Sequence, residues 1–152
     1  KIDRGQFICG HTPMREMAQQ YNAVLVVGGE GEKCRIVAEG YGFKDVITPG
    51  DVIKTRQDIT PFRKLTKEEF NNSRTLDLIK TKIDAIFVFA DSRDWAGDQQ
   101  IILDVLLTKN GQWAHDRRPS TRAQLCFSRT MTSSGLLRTT TRALAWVLSA
   151  LP

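Results

Sequence analysis

Apolar positions along this chain alternate between continuous, strand-like runs and helical spacing, and each change of period marks an element. Residues 6–9 (QFIC) read as a short strand. Thr12 followed by Pro13 then opens a helix, with Thr at the N-cap and Pro at the first helical position, running to about Tyr21. The run AVLVV at 23–27 is of the kind buried on both faces of a parallel sheet, and it stops at Gly28 and Gly29. A helix follows from about Gly31. In it Cys34, Ile36, Val37 and Tyr41 recur at helical spacing, and Gly40 and Gly42 end it before a second strand at 45–48. Residues 49–63 read as a polar loop with Pro and Gly at its turns, and Thr66 with Glu69 has the spacing of a capping box, predicting a short helix to about Leu78. The run IDAIFVFA at 83–90 is the strongest strand pattern. Residues 91–98 lead from it into a helix carrying Ile101, Ile102, Val105, Leu106 and Leu107, which Asn110 and Gly111 end. Strands alternating with helices predict an α/β fold, an open, mostly parallel sheet with flanking helices and ligand contacts at the carboxyl ends of its strands.

Composition adds one discontinuity. At 152 residues, 41% hydrophobic and 26% charged, the chain is ordinary for one α/β domain, and no apolar run approaches the roughly 18 to 20 residues of a membrane span. The net charge of +5 is not spread evenly. Residues 1–111 carry 16 basic and 16 acidic side chains, whereas residues 112–152 carry six basic, all Arg, against one acidic. A basic arm for nucleic acid ordinarily mixes Lys with Arg and is rarely so rich in Thr, Leu and Trp. The tail is therefore irregular in character and asks for another explanation. Three widely spaced cysteines, Cys9, Cys34 and Cys126, make no disulfide framework and favour a reducing compartment. The chain begins at Lys1 rather than Met, so the start of the reading frame and any targeting segment are expected upstream.

Few residues advertise chemistry. The loop of Gly28, Gly29, Glu30, Gly31, Glu32, Lys33 and Cys34 lies between strand and helix, where glycines bring backbone amides to an anion. Against that, the two glutamates repel phosphate and no Gly-Lys-Ser/Thr follows, so a tight strand-to-helix turn is the expected role. Asp91, Asp94 and Asp98 resemble a metal-binding carboxylate cluster. The plainer expectation is that Asp91 and Asp94 cap a helix N-terminus while Asp98 is solvated. Arg93 and Asp91, at the end of the strongest strand, are the candidate substrate-facing residues; Arg93 either reaches an anionic substrate or pairs with the neighbouring acids. His11 has no second His or Cys at ligand spacing and is expected to be structural or capping. No catalytic, metal-binding or cofactor-binding residue is assigned.

Three segments together, QFICGHTPMREMAQQY, VLVVGGEGEKCRIVAEGYGFKDVITPGDVI and KIDAIFVFADSRDWAGDQQIILDVLLTKNG, resemble the middle of haloacid dehalogenase (HAD) superfamily hydrolases of subclass IIA, in the cat-eye-syndrome-critical-region-like branch common in fungi. The resemblance spans residues 1–111. It departs at Gly10, where the family commonly has Ser before His-Thr-Pro. It implies a phosphatase-like enzyme in which an Asp attacks a phosphoryl group, a second Asp two residues on is the acid/base, and Mg²⁺ neutralises charge. Those groups would lie outside this segment, which resembles most of the inserted α/β cap. It further implies a small phosphorylated substrate for the intact protein, no nucleic-acid partner, a mitochondrial location, and an associational link to glycerophospholipid synthesis. The chain as written is then expected to be inactive. A non-catalytic α/β binding module and a nucleotide-binding domain using Gly28 to Gly31 are the rival readings.

Residues 112–152 read as an out-of-frame tail. Shifted one base back, Trp113 and Ala114 must give Gly and Met131 with Thr132 must give Asp, while residues 125–135 permit LFFSNHDFIW, similar to the family's next strand and turn. The tail is expected to lack a packed structure and to leave the strand at 83–90 with an open edge.

Overall fold

A computed structural model of the chain describes Gln6, residues 9–108, Trp113 and the backbone of residues 125–128. Within these residues four parallel strands, β1 (Ala23–Gly29), β2 (Asp45–Ile47), β3 (Ala85–Ser92) and β4 (Leu125–Ser128), form one sheet in the order β2-β1-β3-β4. Helices α1 (Lys33–Gly40), α2 (Pro49–Thr55), α3 (Lys67–Asn72) and α4 (Trp95–Leu107) connect them. The expected α/β architecture is the one observed.

The β-branched run of β1 explains its central place. Val24, Leu25, Val26 and Val27 are all buried because alternate side chains enter two different cores. Leu25 and Val27 join Ile47, Val52, Ile53, Ile86, Val88, Ile101 and Val105 on the side of α2 and α4. Val24 and Val26 join Met14, Cys34, Ala38, Phe43, Phe87 and Phe89 on the side of α1. The in-register pairs Val24 with Ala85, Leu25 with Ile86, and Val26 with Phe87 keep both sets aligned across β1 and β3.

Several elements depart from their sequence expectation. The segment at 6–9 places Cys9 in a turn rather than a strand: its N–H donates to Thr12 Oγ1 at 2.9 Å and its carbonyl accepts from Thr12 N at 2.9 Å, leaving nothing for a ladder. Phe7 and Ile8 lie outside the described residues. The helix opened by Thr12 and Pro13 is a 3₁₀ helix ending at Met17 (Thr12–Met17). Helix α1 turns Cys34, Arg35 and Ala38 inward while Ile36 is 65% exposed. Residues 49–63 are not simply a loop. Thr48 and Pro49 start α2, and the Thr48 N–H donates to Asp51 Oδ2 at 3.0 Å, half of a capping box. The capping box of Thr66 and Glu69 forms as expected, yet α3 stops at Asn72, where Lys54 Nζ donates to the carbonyls of Phe70 and Ser73 at 2.7 Å each.

The tail contributes a strand. The backbone of β4 pairs with β3, Ala85 opposite Leu125 and Val88 opposite Ser128, so at those positions the expected open edge is closed. Trp113 is buried with the α2 and α4 core. The rest of the tail, and the helix stop at Asn110 and Gly111, lie outside the described residues. No helix among the described residues is long and apolar enough to cross a membrane.

Candidate functional site

Strand order places the site. From β1 the chain crosses one way to β2 through α1, and then back across to β3 through α2 and α3, so the direction of winding reverses between β1 and β3. Loops leaving the carboxyl ends of such strands diverge and leave a crevice. A cleft of about 90 Å³ opens there, lined by Gly28 to Glu32 at and beyond the end of β1, Thr48 to Gly50 after β2 and Arg93 after β3, with Arg63, Glu69 and Asp98. That volume admits a few waters. It is well below the roughly 300 Å³ of a pocket that encloses a small molecule.

The glycine loop is explained by the strands beneath it. Gly28 has φ +122°, and a Cβ there would stand 2.1 Å from the Ala90 carbonyl oxygen, so glycine is required for β1 to pass β3 at its bulge. Gly29 and Gly31, also at positive φ, complete the turn into α1. Four acids and two arginines line the cleft, and two of the acids, Glu30 and Glu32, belong to the glycine loop whose amides an anion would seek. Glu30 pairs with Arg93 at 3.2 Å and with Lys33 at 3.7 Å. The geometry fits a tight turn better than a phosphate cradle.

Behind Glu32 and Thr48, which line the cleft, Arg35 is buried and fully engaged. It donates to Val46 O at 2.7 Å, to Thr48 Oγ1 at 3.1 Å and to both oxygens of Asp51 at 2.7 Å, while its Nε pairs with Glu32. Burial alone would lower its pKa, but Asp51 and Glu32 more than offset this and hold it above its ordinary value. Asp51 is wholly buried and also accepts from the N–H groups of Thr48 and Arg74 at 3.0 and 2.6 Å.

On the opposite wall, Arg63 donates to Asp98 Oδ1 at 3.0 Å and stands 3.7 Å from both Glu69 and Asp94. Here the expectation that Asp98 is solvated fails. It is buried, because α4 turns this position inward, and it meets Arg63 and the Ser92 hydroxyl. Burial raises its pKa despite the lowering by Ser92 and Arg63. Asp94 caps α4 as expected, accepting from Gly97 N at 3.2 Å. Asp91 takes no part in the cap and is exposed outside the cleft. Of the two candidate substrate-facing residues only Arg93 reaches the rim, paired there with Glu30. Sequence reasoning overlooked Arg63, which lies in no motif, and Ser92, which stands between Asp91 and Arg93 without a role assigned to it.

His11, not Thr12, holds the N-cap position of the 3₁₀ helix, with no capping bond from its side chain; its ring stacks on Phe89 with centroids 5.0 Å apart, and Nδ1 lies 2.8 Å from the Tyr41 hydroxyl. The donor set does not suit a divalent cation. Among the described residues no three His, Cys, Asp or Glu side chains converge, and Asp94 and Asp98 are already turned to Arg63.

No family model matches the chain. Curated relatives do. A mitochondrial hydrolase of Saccharomyces cerevisiae is 43% identical over 108 residues, which is 70% of this chain and 30% of that protein. A cardiolipin synthase (CMP-forming)/mitochondrial hydrolase fusion protein of Schizosaccharomyces pombe is 36% identical over 111 residues, 72% of this chain and 18% of that protein. The chain thus has homologues among hydrolases and spans under a third of the length of each.

Proposed function

We propose that this chain is the inserted α/β cap of a HAD-superfamily subclass IIA hydrolase, a mitochondrial phosphatase-like protein with a role near glycerophospholipid metabolism. The observation that carries the reading is the similarity to two named hydrolases over a segment forming less than a third of either. The cleft supports it: a wall of about 90 Å³ without a converging carboxylate pair suits a surface that helps to select substrate while reacting groups come from elsewhere in the protein. The location and the phospholipid link rest on the relatives' names. Magnesium and the nucleophilic carboxylate belong, on this reading, to the remainder of the protein, and the residues described above do not hold them.

A graft tests the proposal. Residues 1–111 replace the homologous segment of the Saccharomyces cerevisiae hydrolase, and both the chimera and the present chain are assayed with p-nitrophenyl phosphate and Mg²⁺. The chimera is expected to turn over substrate and the chain alone to match the buffer blank. Turnover by the chain alone that survives repurification, or a folded but inactive chimera, overturns the reading.

A further inference from the structure

Helix α3 forms part of the cleft wall, yet little holds it there. None of its six side chains, all among the described residues, is buried. A helix this short does not persist in water unaided, since helicity is marginal below about 12 residues. The Thr66 and Glu69 capping box closes its amino end but is internal, shaping the helix without fastening it to anything else. Glu69 faces the cleft and stands 3.7 Å from Arg63, a long contact for an ion pair. The firm attachment comes from Lys54, in the last turn of α2. Its ammonium donates to the carbonyls of Phe70 and Ser73 at 2.7 Å each and lies 4.5 Å from the centre of the exposed Phe70 ring. A cation at this end satisfies carbonyls that the helix leaves without partners and meets the negative pole of its dipole. The chain on either side is anchored. Leu65 and Leu76 pack on the α2 and α4 core, Ser73 is buried, and the Arg74 N–H donates to Asp51 Oδ1 at 2.6 Å.

We propose that residues 66–72 are a flap over the cleft, latched by Lys54, whose opening widens the cleft and uncovers Arg63. A segment pinned at both ends and loosely held between them opens locally at far less cost than the packed elements around it. With the flap down the cleft measures about 90 Å³, too small to enclose a small molecule. Lifting it takes Glu69 out of the wall. Of the four acids and two arginines that line the cleft, three acids and both arginines remain, so the cleft becomes larger and less repellent to an anion. Arg63 keeps Asp98 at 3.0 Å and Asp94 at 3.7 Å, and the side it had turned to Glu69 faces the open cleft. The device belongs to the fold of this chain and stands whether or not the chain is the cap of a hydrolase.

Amide exchange on the full chain, followed by mass spectrometry, reads the flap, and phenylglyoxal modification of individual arginines reads the opening. In the wild type the amides of Phe70 to Ser73 are expected to exchange at least about tenfold faster than those of Ile101 to Val105 in α4. Lys54→Met, which keeps a long stem and removes the ammonium, should speed both α3 exchange and Arg63 modification severalfold. Exchange in α4 and modification of buried Arg35 should not change. Lys54→Arg keeps a cationic donor and should return both rates most of the way to wild type. Equal protection of α3 and α4 in the wild type, or α3 and Arg63 rates indifferent to Lys54→Met, overturns the proposal. Should Lys54→Met unfold the chain, as circular dichroism would show, the wild type in low urea decides. Exchange in α3 must be insensitive to urea, because a local opening exposes little surface, while exchange in α4 rises with it; a parallel rise overturns the proposal.

Discussion

Two arginines, Arg63 lining the cleft and Arg35 bonded to the Glu32 and Thr48 that line it, do different things. Arg35 is buried, and its planar fork is saturated by one wholly buried carboxylate, a hydroxyl and a carbonyl at 2.7 to 3.1 Å. Arg63 keeps part of its surface in water and divides its charge among Asp98, Glu69 and Asp94, two of them no closer than 3.7 Å. The first arrangement is a fastening, joining α1 on one face of the sheet to α2 on the other around the end of β2. The second leaves a charge that can be redistributed, because no single partner satisfies it. Rigidity therefore lies behind the lining of the crevice, and adaptability within it.

The largest expected effect comes from the fastening. Asp51→Ala leaves Arg35 buried with a single acid at its edge and removes the N3 cap of α2. It should destabilise the chain by about 3 to 5 kcal/mol in urea denaturation. A loss below about 1 kcal/mol would put Arg35 in the same class as Arg63 and dissolve the contrast.

Arg63→Ala should cost less, about 1 to 2 kcal/mol at neutral pH, since the Ser92 hydroxyl still serves Asp98 and the exposed acids relax into water. Its pH dependence is diagnostic. The Asp98 pKa is already raised by burial, and losing Arg63 raises it further, so the native state holds this proton where the unfolded chain has released it. Asp98 accordingly favours the folded state in acid, and that contribution is lost as pH rises through its raised folded pKa. The cost of Arg63→Ala should therefore shrink as pH falls. A pH-independent cost would mean that Arg63 acts by packing alone.

Smallest is Glu69→Gln, about 0.5 kcal/mol at neutral pH. The Thr66 N–H holds the Glu69 pKa below the ordinary carboxylate range, with further help from Arg63 against the opposing effect of burial. The sign is opposite to that of Asp98. Stability from Glu69 is present above the unfolded carboxylate pKa and is lost as pH falls through the depressed folded one, so wild type and variant should converge in strong acid.

Much of the scaffold was legible because its signals are local. The β-branched run of β1, the AIFVFA core of β3 and the Thr66 and Glu69 capping box each carry their own periodicity, and all three form. Helix α2 was missed because Pro49 and Gly50 read as punctuation, while Thr48 before Pro49 is the same start signal accepted at Thr12 and Pro13. The walls of the cleft were largely illegible. Asp98 read as solvated, and Arg63 went unnoticed, because 35 positions separate them and nothing short of the folded chain joins them. Pairings of that kind are written in the topology, not in spacing.

The strand order also bears on how the molecule assembles. Val24 finds Val46 after a single helical crossover, whereas it finds Ala85 on its other side only after α2, the 3₁₀ turn at Gln57–Ile59 and α3 have been traversed. The longer closure carries roughly 1 kcal/mol more chain entropy, so the β1-α1-β2 portion is expected to organise first and wait for β3. During that interval the β1 edge that will receive β3 is unpaired, and Phe87 and Phe89, which hold the aromatic core together, have nowhere to pack. The vulnerable moment for this sequence is thus the late arrival of the strand that carries Phe87 and Phe89, and in a cell it is the moment at which a chaperone would have something to hold.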